Sequence, residues 1–413
     1  MRPGLLTLLA LLGAAAPQAG AQQAPRRVIL FIGDGVGTAY WSAARFAAPD
    51  ALAVTRMKVV GLVDTRSSDS DVTDSAAGAT AYAAGIRTFN GAIGVGPDSQ
   101  AVKTVLEVAR DRGWATGLVA TSSVTHATPA SFAAHVNSRA SEFEIAKQML
   151  DARVDVLLGG GTNFFNPKVR PDSADLLARL RREYTLVSEP EDLALAKDPK
   201  VRRFAGLFAE TQMPSARTRK PALAEMTGTA LEVLSRDPDG FFLMVEGSQP
   251  DWRGHSNEPL EAVAGEMLDF DRAIKVALDY QQRNPGTLVL VVADHETGGL
   301  ALEVGRDSVA LMQTGQALVQ DAQRLAAVRP LLPEGERDRI DSAARHLNWA
   351  ASRMRAQAAQ RRGAVSLTAG YTTTGHTAEM VPLFASGPMA ERFGGVIDNF
   401  RVGQILLELV GKK

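Results

Sequence analysis

The sequence predicts an α/β fold, with a mostly parallel central sheet, helices on both faces and a helical insertion near the C-terminus. Three observations carry that expectation. Five short apolar runs read as buried strands, helical patterns fall between them, and four of the five runs end in acids, histidine or threonine. Strands alternating with helices form parallel sheets covered on both sides. Such sheets bind ligands at the carboxyl ends of their strands.

Composition limits the class before any element is placed. The chain has 413 residues, 45% of them hydrophobic and 22% charged, enough to bury a large core. A net charge of −1 leaves no bulk basic field for nucleic acid. There is no cysteine, which excludes disulfides, thiolate nucleophiles and cysteine zinc sites. Any metal must be held by histidine, carboxylate and hydroxyl groups.

The first segment reads as targeting rather than structure. Arg2 gives a positive start, residues 5–16 are apolar and Ala19-Gly20-Ala21 offers a small-residue cleavage site. We therefore expect a signal peptide over residues 1–21, a mature chain from Gln22, and export to the periplasm or the medium. The apolar run is too short to span a bilayer comfortably, a retained N-terminal membrane anchor being the alternative reading, and no later segment approaches a membrane span.

The first strand, residues 28–32, opens into Gly33-Asp34-Gly35-Val36-Gly37. Thr38 stands where a dinucleotide fingerprint needs its third glycine, so these glycines instead let the backbone pass close to a metal held by Asp34. Asp74-Ser75-Ala76-Ala77-Gly78 then places an acid and a hydroxyl at the head of an Ala-rich, helix-prone run. Backbone N–H groups and the helix dipole favour an anion there. A helix is expected over 101–112, and strand 117–120 leads into a loop with His126 and Thr128. Arg139 follows; its guanidinium can grip two phosphate oxygens.

A helix over 142–152 precedes strand 154–158, which ends in Gly159-Gly160-Gly161, a tight turn. Residues 166–220 are charged and Pro-punctuated and read as an addition to the core. After a helix over 222–235, strand 241–245 ends in Glu246-Gly247. Asp251 and His255 follow at i, i+4, on one face if a helical turn forms, although Pro250 and Gly254 argue for a short or irregular one. A helix over 260–282 leads to strand 288–292 and to Ala293-Asp294-His295-Glu296. Residues 315–362 hold a polar helical region, 339–361, which we read as an insertion before the last loop, the one bearing His376.

Of six histidines, His255, His295 and His376 read as ligands and His126 as a neighbour of a metal, while His135 and His346 have ordinary roles. Aspartate with imidazole suits zinc. The oxygen-only set Asp34, Thr128 and Glu246 suits magnesium. A serine at a helix start beside such cations points to metal-dependent phosphoryl transfer.

These blocks, in this order, resemble the alkaline phosphatases. The matching stretches are Gly33 to Gly37, Val72 to Ala77, Ile86 to Gly91, His126 to Ala130 through Ser138-Arg139, Met244 to Gly247 with Asp251 and His255, Ala293 to Glu296, and Thr374 to Thr377. The resemblance implies a catalytic domain over 22–413 with a crown-like insertion at about 302–366, two zinc ions, one magnesium, and a homodimer acting on small phosphate monoesters. By position it makes Asp251, His255 and His376 ligands of the first zinc, and Asp34, Asp294 and His295 ligands of the second. Asp34, Thr128 and Glu246 would hold magnesium. Ser75 is then the nucleophile, forming a phosphoserine, and Arg139 the phosphate clamp. Asp74, His126 and Trp252 fall beside the metals or the substrate.

Two positions depart from the enterobacterial pattern: His126 replaces an aspartate near magnesium, and Trp252 a lysine that approaches phosphate through water. Both bear on magnesium affinity, phosphate release and pH optimum. Two other readings share the ligand set: a phosphodiesterase or sulfatase on the same scaffold, and a non-catalytic exported phosphate- or zinc-binding protein. Arylsulfatases need a C/S-x-P-x-R setting, whereas Ser75 is followed by Ala-Ala-Gly, and phosphodiesterase relatives commonly use threonine. The complete set of roles argues against the non-catalytic reading.

Overall fold

The computed structural model describes residues 24–304, 308–360 and 367–412; the expected signal peptide lies outside them. Ten strands form one sheet: β1 Arg27–Gly33, β2 Val59–Asp64, β3 Ala115–Ser123, β4 Val156–Gly160, β5 Thr185–Val187, β6 Phe204–Leu207, β7 Phe241–Gly247, β8 Thr287–Val292, β9 Val381–Ser386 and β10 Gly395–Asp398. Their spatial order is β10-β2-β9-β8-β1-β7-β3-β4-β6-β5. Neighbours run parallel except at β9, which is antiparallel to both β2 and β8. All five predicted strands are present, and they occupy the centre. Val28 to Ile32, Phe241 to Val245 and Leu288 to Val292 are buried throughout, as strands covered on both faces must be. Among the described residues, no helix is long and apolar enough to cross a membrane.

Local chemistry sets the helix boundaries. The helix expected from residue 101 begins at Val105, because Thr104 and Glu107 close a capping box: each side chain accepts from the other's backbone N–H. The others, Glu142–Asp151, Leu223–Leu234 and Leu260–Arg283, fall within two residues of their expected limits.

Two expectations need correction. Gly159 and Gly160 are not turn residues but lie in β4, paired with Leu207 and Ser123; Gly161, at φ 100°, makes the turn. Residues 166–220 are not simply an addition to the core, since they supply β5 and β6 at one sheet edge. β6 is only four residues long and directly follows Arg202-Arg203, which hides its apolar signal. The C-terminal insertion stands on an antiparallel ribbon, Ala301–Val304 with Leu367–Gly370. Beyond that ribbon, helices Ser308–Val328 and Glu334–Gln360 pack along each other.

Parallel register gathers the polar strand ends. Ile32 on β1 is level with Glu246 on β7 and Val292 on β8, and Glu246 is level with Ala120 on β3. Asp34, Glu246, Asp294 and the loop after β3 therefore meet at the carboxyl end of the central strands.

Candidate active site

Asp74 caps the helix Ser75–Ala84, accepting from the Ala77 N–H at 3.0 Å. Its Oδ1 also takes the Gly91 N–H at 3.1 Å, and its own N–H donates to the Asn90 side chain at 3.0 Å. Ser75 is thus fixed as the first helical residue, where backbone N–H groups lack partners within the helix. All ten residues of this helix are buried. Its small side chains let it lie against the loop after β8: a Cβ at Gly78 would come within 2.9 Å of the Asp294 carbonyl. Tyr82 ties the two together, donating to the Ala293 carbonyl at 2.7 Å.

Arg139 reaches the same point from another loop. Its Nη1 lies 2.9 Å from Asp74 Oδ2, and its backbone N–H donates to the Gly91 carbonyl at 2.8 Å. Asp74 therefore orients both the helix start and the guanidinium. His126 stands 3.5 Å from Arg139 Nη2 and meets Trp252 edge-on, ring centres 6.3 Å apart.

The predicted ligands converge around Ser75, whose Oγ is 3.3 Å from His295 Nε2. That nitrogen lies 3.5 Å from Asp34 Oδ1 and 3.4 Å from Asp294 Oδ2. A second trio sits beside it: His255 Nε2 is 3.1 Å from His376 Nε2 and 3.3 Å from Asp251 Oδ1, and the last two atoms are 3.6 Å apart. His295 is also within reach of Asp251 and His376, stacking on the His376 ring at 3.5 Å. In a third group, Asp34 and Glu246 meet His126. Thr128 is buried at the start of helix Ala127–Ala133. The i, i+4 pair does form: Asp251 and His255 share the seven-residue helix Gln249–His255. His135 and His346 serve structure, His135 contacting Glu107 and the Gly94 carbonyl, His346 the Ser342 carbonyl.

Buried polar atoms in these groups test whether cations fit. Both oxygens of Asp34, Oε1 of Glu246, Oδ2 of Asp294 and Oγ1 of Thr128 are buried without a hydrogen-bond partner. Burial, then the charges of Asp294, Asp251 and Glu246, push Asp34 well above the usual carboxylate range. Burial raises Asp294 too, and with the Asp294 charge it pushes Glu246 up to about 7. Burial also drives His295 down to about 3, and burial with Arg139 does the same to His126, so both imidazoles are neutral. Orphaned carboxylate oxygens and neutral imidazoles are what metal ions require. Arg139 is already paired with Asp74, so bound cations are the fitting source of charge.

Several site residues had no signal in the sequence reading. Thr297 Oγ1 donates to Asp251 at 2.5 Å and lies 3.3 Å from His295 Nδ1. Tyr40 holds the Thr297 carbonyl at 2.5 Å, and Ser122 donates to Glu246 at 3.1 Å. A two-residue ladder pairs His376 with Thr297 and Thr377 with Glu296, which brings the last loop to the site. Gly35, at φ 73°, has no room for a Cβ, which would lie 2.8 Å from the Asp251 backbone. The close approach at this glycine is to its neighbours Asp251 and Thr297.

The sequence profile of the family described as "Alkaline phosphatase" matches residues 25–411. Alkaline phosphatase 3 of Bacillus subtilis (strain 168) is 38% identical, over 93% of this chain and 89% of that protein. The structure of alkaline phosphatase from the Antarctic bacterium TAB5 superposes with a TM-score of 0.76 at 34% identity, covering 95% of this chain and 99% of that one. A variant of the TAB5 enzyme, with the same TM-score and coverage at 33% identity, has Mg bound in the M3 site.

Proposed function

Since this chain belongs to the alkaline phosphatase family, and so is a metal-dependent hydrolase of phosphate monoesters, we propose that Ser75 is its nucleophile and Arg139 its phosphate clamp. The observation that carries this reading is the Ser75 Oγ itself, buried at a helix start, 3.3 Å from His295 and beside carboxylate oxygens that lack hydrogen-bond partners. Ser75 Oγ forms a bond to phosphorus as the bond to the ester oxygen breaks and the alcohol departs. Water then displaces Ser75 from the phosphoserine, releasing inorganic phosphate and restoring the hydroxyl. Arg139, steadied by Asp74, holds two of the non-transferring oxygens, and the helix N-terminus adds N–H donors.

Asp251, His255 and His376 would hold one zinc ion, Asp34, Asp294 and His295 a second, and Asp34, Thr128 and Glu246 a magnesium. When bound, these ions supply the positive charge against which the serine ionises and the ester oxygen leaves. The magnesium assignment rests on the oxygen-rich third group. His126 and Trp252 flank that group and the clamp, where they bear on magnesium affinity and phosphate release.

The test is Ser75→Ala. It should abolish labelling of the protein by a radioactive phosphate ester and remove most turnover, with folding and zinc content kept. Labelling at the parent level would overturn the assignment. We further propose export directed by residues 1–21, a crown-like role for residues 302–366, and a homodimer. A retained Met1 on protein recovered outside the cytoplasm, or a monomer by sedimentation, would count against the first and the last. Normal assembly after excision of the insertion would count against the crown.

A further inference from the structure

One buried carboxylate beside the site has no part in the chemistry described so far. Glu296 is 1% exposed, yet it belongs to none of the three groups that could hold a cation. It shares a two-residue strand with Thr297, and successive side chains of a strand point to opposite faces. Thr297 faces the prospective ligands, with its hydroxyl on Asp251 and His295. Glu296 turns the other way and packs against Gly37, where it leaves no room for a Cβ. Its Oε1 accepts the Leu300 N–H at 3.1 Å, and its Oε2 accepts the Gly299 N–H at 3.1 Å and the Thr377 hydroxyl at 2.5 Å. Two of these donors belong to the turn after its own strand. The third comes from 81 residues further along the chain.

Thr377 adjoins His376, and the loop that carries them is held unevenly. Before His376 the backbone does the holding: the Gly298 N–H donates to the Gly375 carbonyl at 2.9 Å, and the Thr372 and Thr373 N–H groups donate to the Gly298 carbonyl. After Thr377, residues 378–380 are exposed until β9 begins at Val381. Between the two lies a ladder of only two residues, too short to hold itself. The Thr377 hydroxyl fastens this side, donating to Glu296 while accepting the Glu379 N–H at 3.4 Å. His376, so held, places Nδ1 2.9 Å from the Thr73 carbonyl and Nε2 3.1 Å from His255 Nε2.

We propose that Glu296, acting through Thr377, is a positioning residue for the first zinc, because it seats His376 beside Asp251 and His255. The inference rests on the reading of His376 as a ligand of that ion. Asp34, Asp294 and His295, read as ligands of the second zinc, come from the loops after β1 and β8 and do not depend on the last loop. Loss of the clasp therefore weakens one zinc of the two. Hydrogen-bond partners behind a ligand set metal affinity by roughly 10–100-fold.

The test titrates zinc-loaded protein with a competing chelator and follows each ion in the parent, Thr377→Val, Thr377→Ser and Glu296→Gln. Thr377→Val keeps the branched shape without the hydroxyl. It should weaken one zinc by roughly tenfold or more and leave the other unchanged. Thr377→Ser restores the donor and should restore the affinity. Glu296→Gln, with one acceptor oxygen in place of two, should move the same ion in the same direction. Parent affinity for both ions in Thr377→Val, equal weakening of both, or a loss that Thr377→Ser does not reverse would each overturn the proposal. His376→Ala tells this failure from that of the ligand assignment. Both zinc ions retained in His376→Ala would overturn the assignment and the clasp together. One ion lost there, with both retained in Thr377→Val, would overturn the clasp alone.

Discussion

Asp74 shows how much one residue can organise. Its carboxylate accepts from two backbone N–H groups and pairs with Arg139. Burial alone would raise its pKa, but the Arg139 charge and the N–H donors of Ala77 and Gly91 prevail, holding the group below the usual range. A lowered folded pKa means stability that is present above the unfolded value and lost as pH falls through the folded one. Asp74→Asn keeps an acceptor for the cap yet removes the charge that steadies Arg139. We expect kcat/KM for monoesters to fall roughly tenfold or more, the scale of one charge-assisted bond, with little change in Tm. A large loss of Tm at unchanged kcat/KM would mean that Asp74 serves the fold alone. The cap was legible because it is local, an acid three residues from its donor. The Arg139 partnership, 65 residues away, was not. Neither was Thr297, since a threonine in a strand looks like any other β-branched residue.

At the scale of elements, the central strands were legible because burial on both faces forces continuous apolar runs. The peripheral ones were not. β5 has three residues, β6 and β10 four each, and β9 contains Pro382, which argues against an interior strand. The ladder delivering His376 is two residues long, below any detectable period. Helix Ser75–Ala84 offers the sharpest test at this scale. Its Gly78 faces the Asp294 backbone, where an added methyl would lie 2.9 Å from the carbonyl oxygen and 3.2 Å from Asp294 Cβ. Neither neighbour is the free end of a flexible chain, so the helix or the ligand loop must shift. Gly78→Ala should lower stability by about 1–3 kcal/mol and reduce kcat as Ser75 and Asp294 separate. Gly265→Ala is the control, because nothing lies within 4 Å of its would-be methyl and alanine favours a helix. Equal Tm and kcat in the two variants would show that the close approach at Gly78 has no consequence.

Across the whole molecule, residues from β1, β7, β8 and the last loop close on one cluster of buried acids, in a chain without disulfides. Bound cations would therefore tie together segments far apart in sequence, and their binding energy becomes folding energy. The sign of the pH dependence tests this. In the metal-free protein Glu246 titrates at about 7, above its ordinary value, and Asp34 and Asp294 are raised as well. Over that window the folded state keeps protons that the unfolded chain has released, so stability falls as pH rises. His126 and His295 act oppositely, but both lie below their ordinary 6.5, and their contribution is complete above it. Protein treated with EDTA and dialysed should therefore lose Tm between about pH 6.5 and pH 8. Protein restored with zinc and magnesium holds the same carboxylates ionised by its cations and should stay nearly level, so the gap between the two widens with pH. A gap that stayed constant or narrowed would show that the buried acids are not where the cations act. Hydrolysis surviving complete removal of metal would show that the cations are not needed for the reaction.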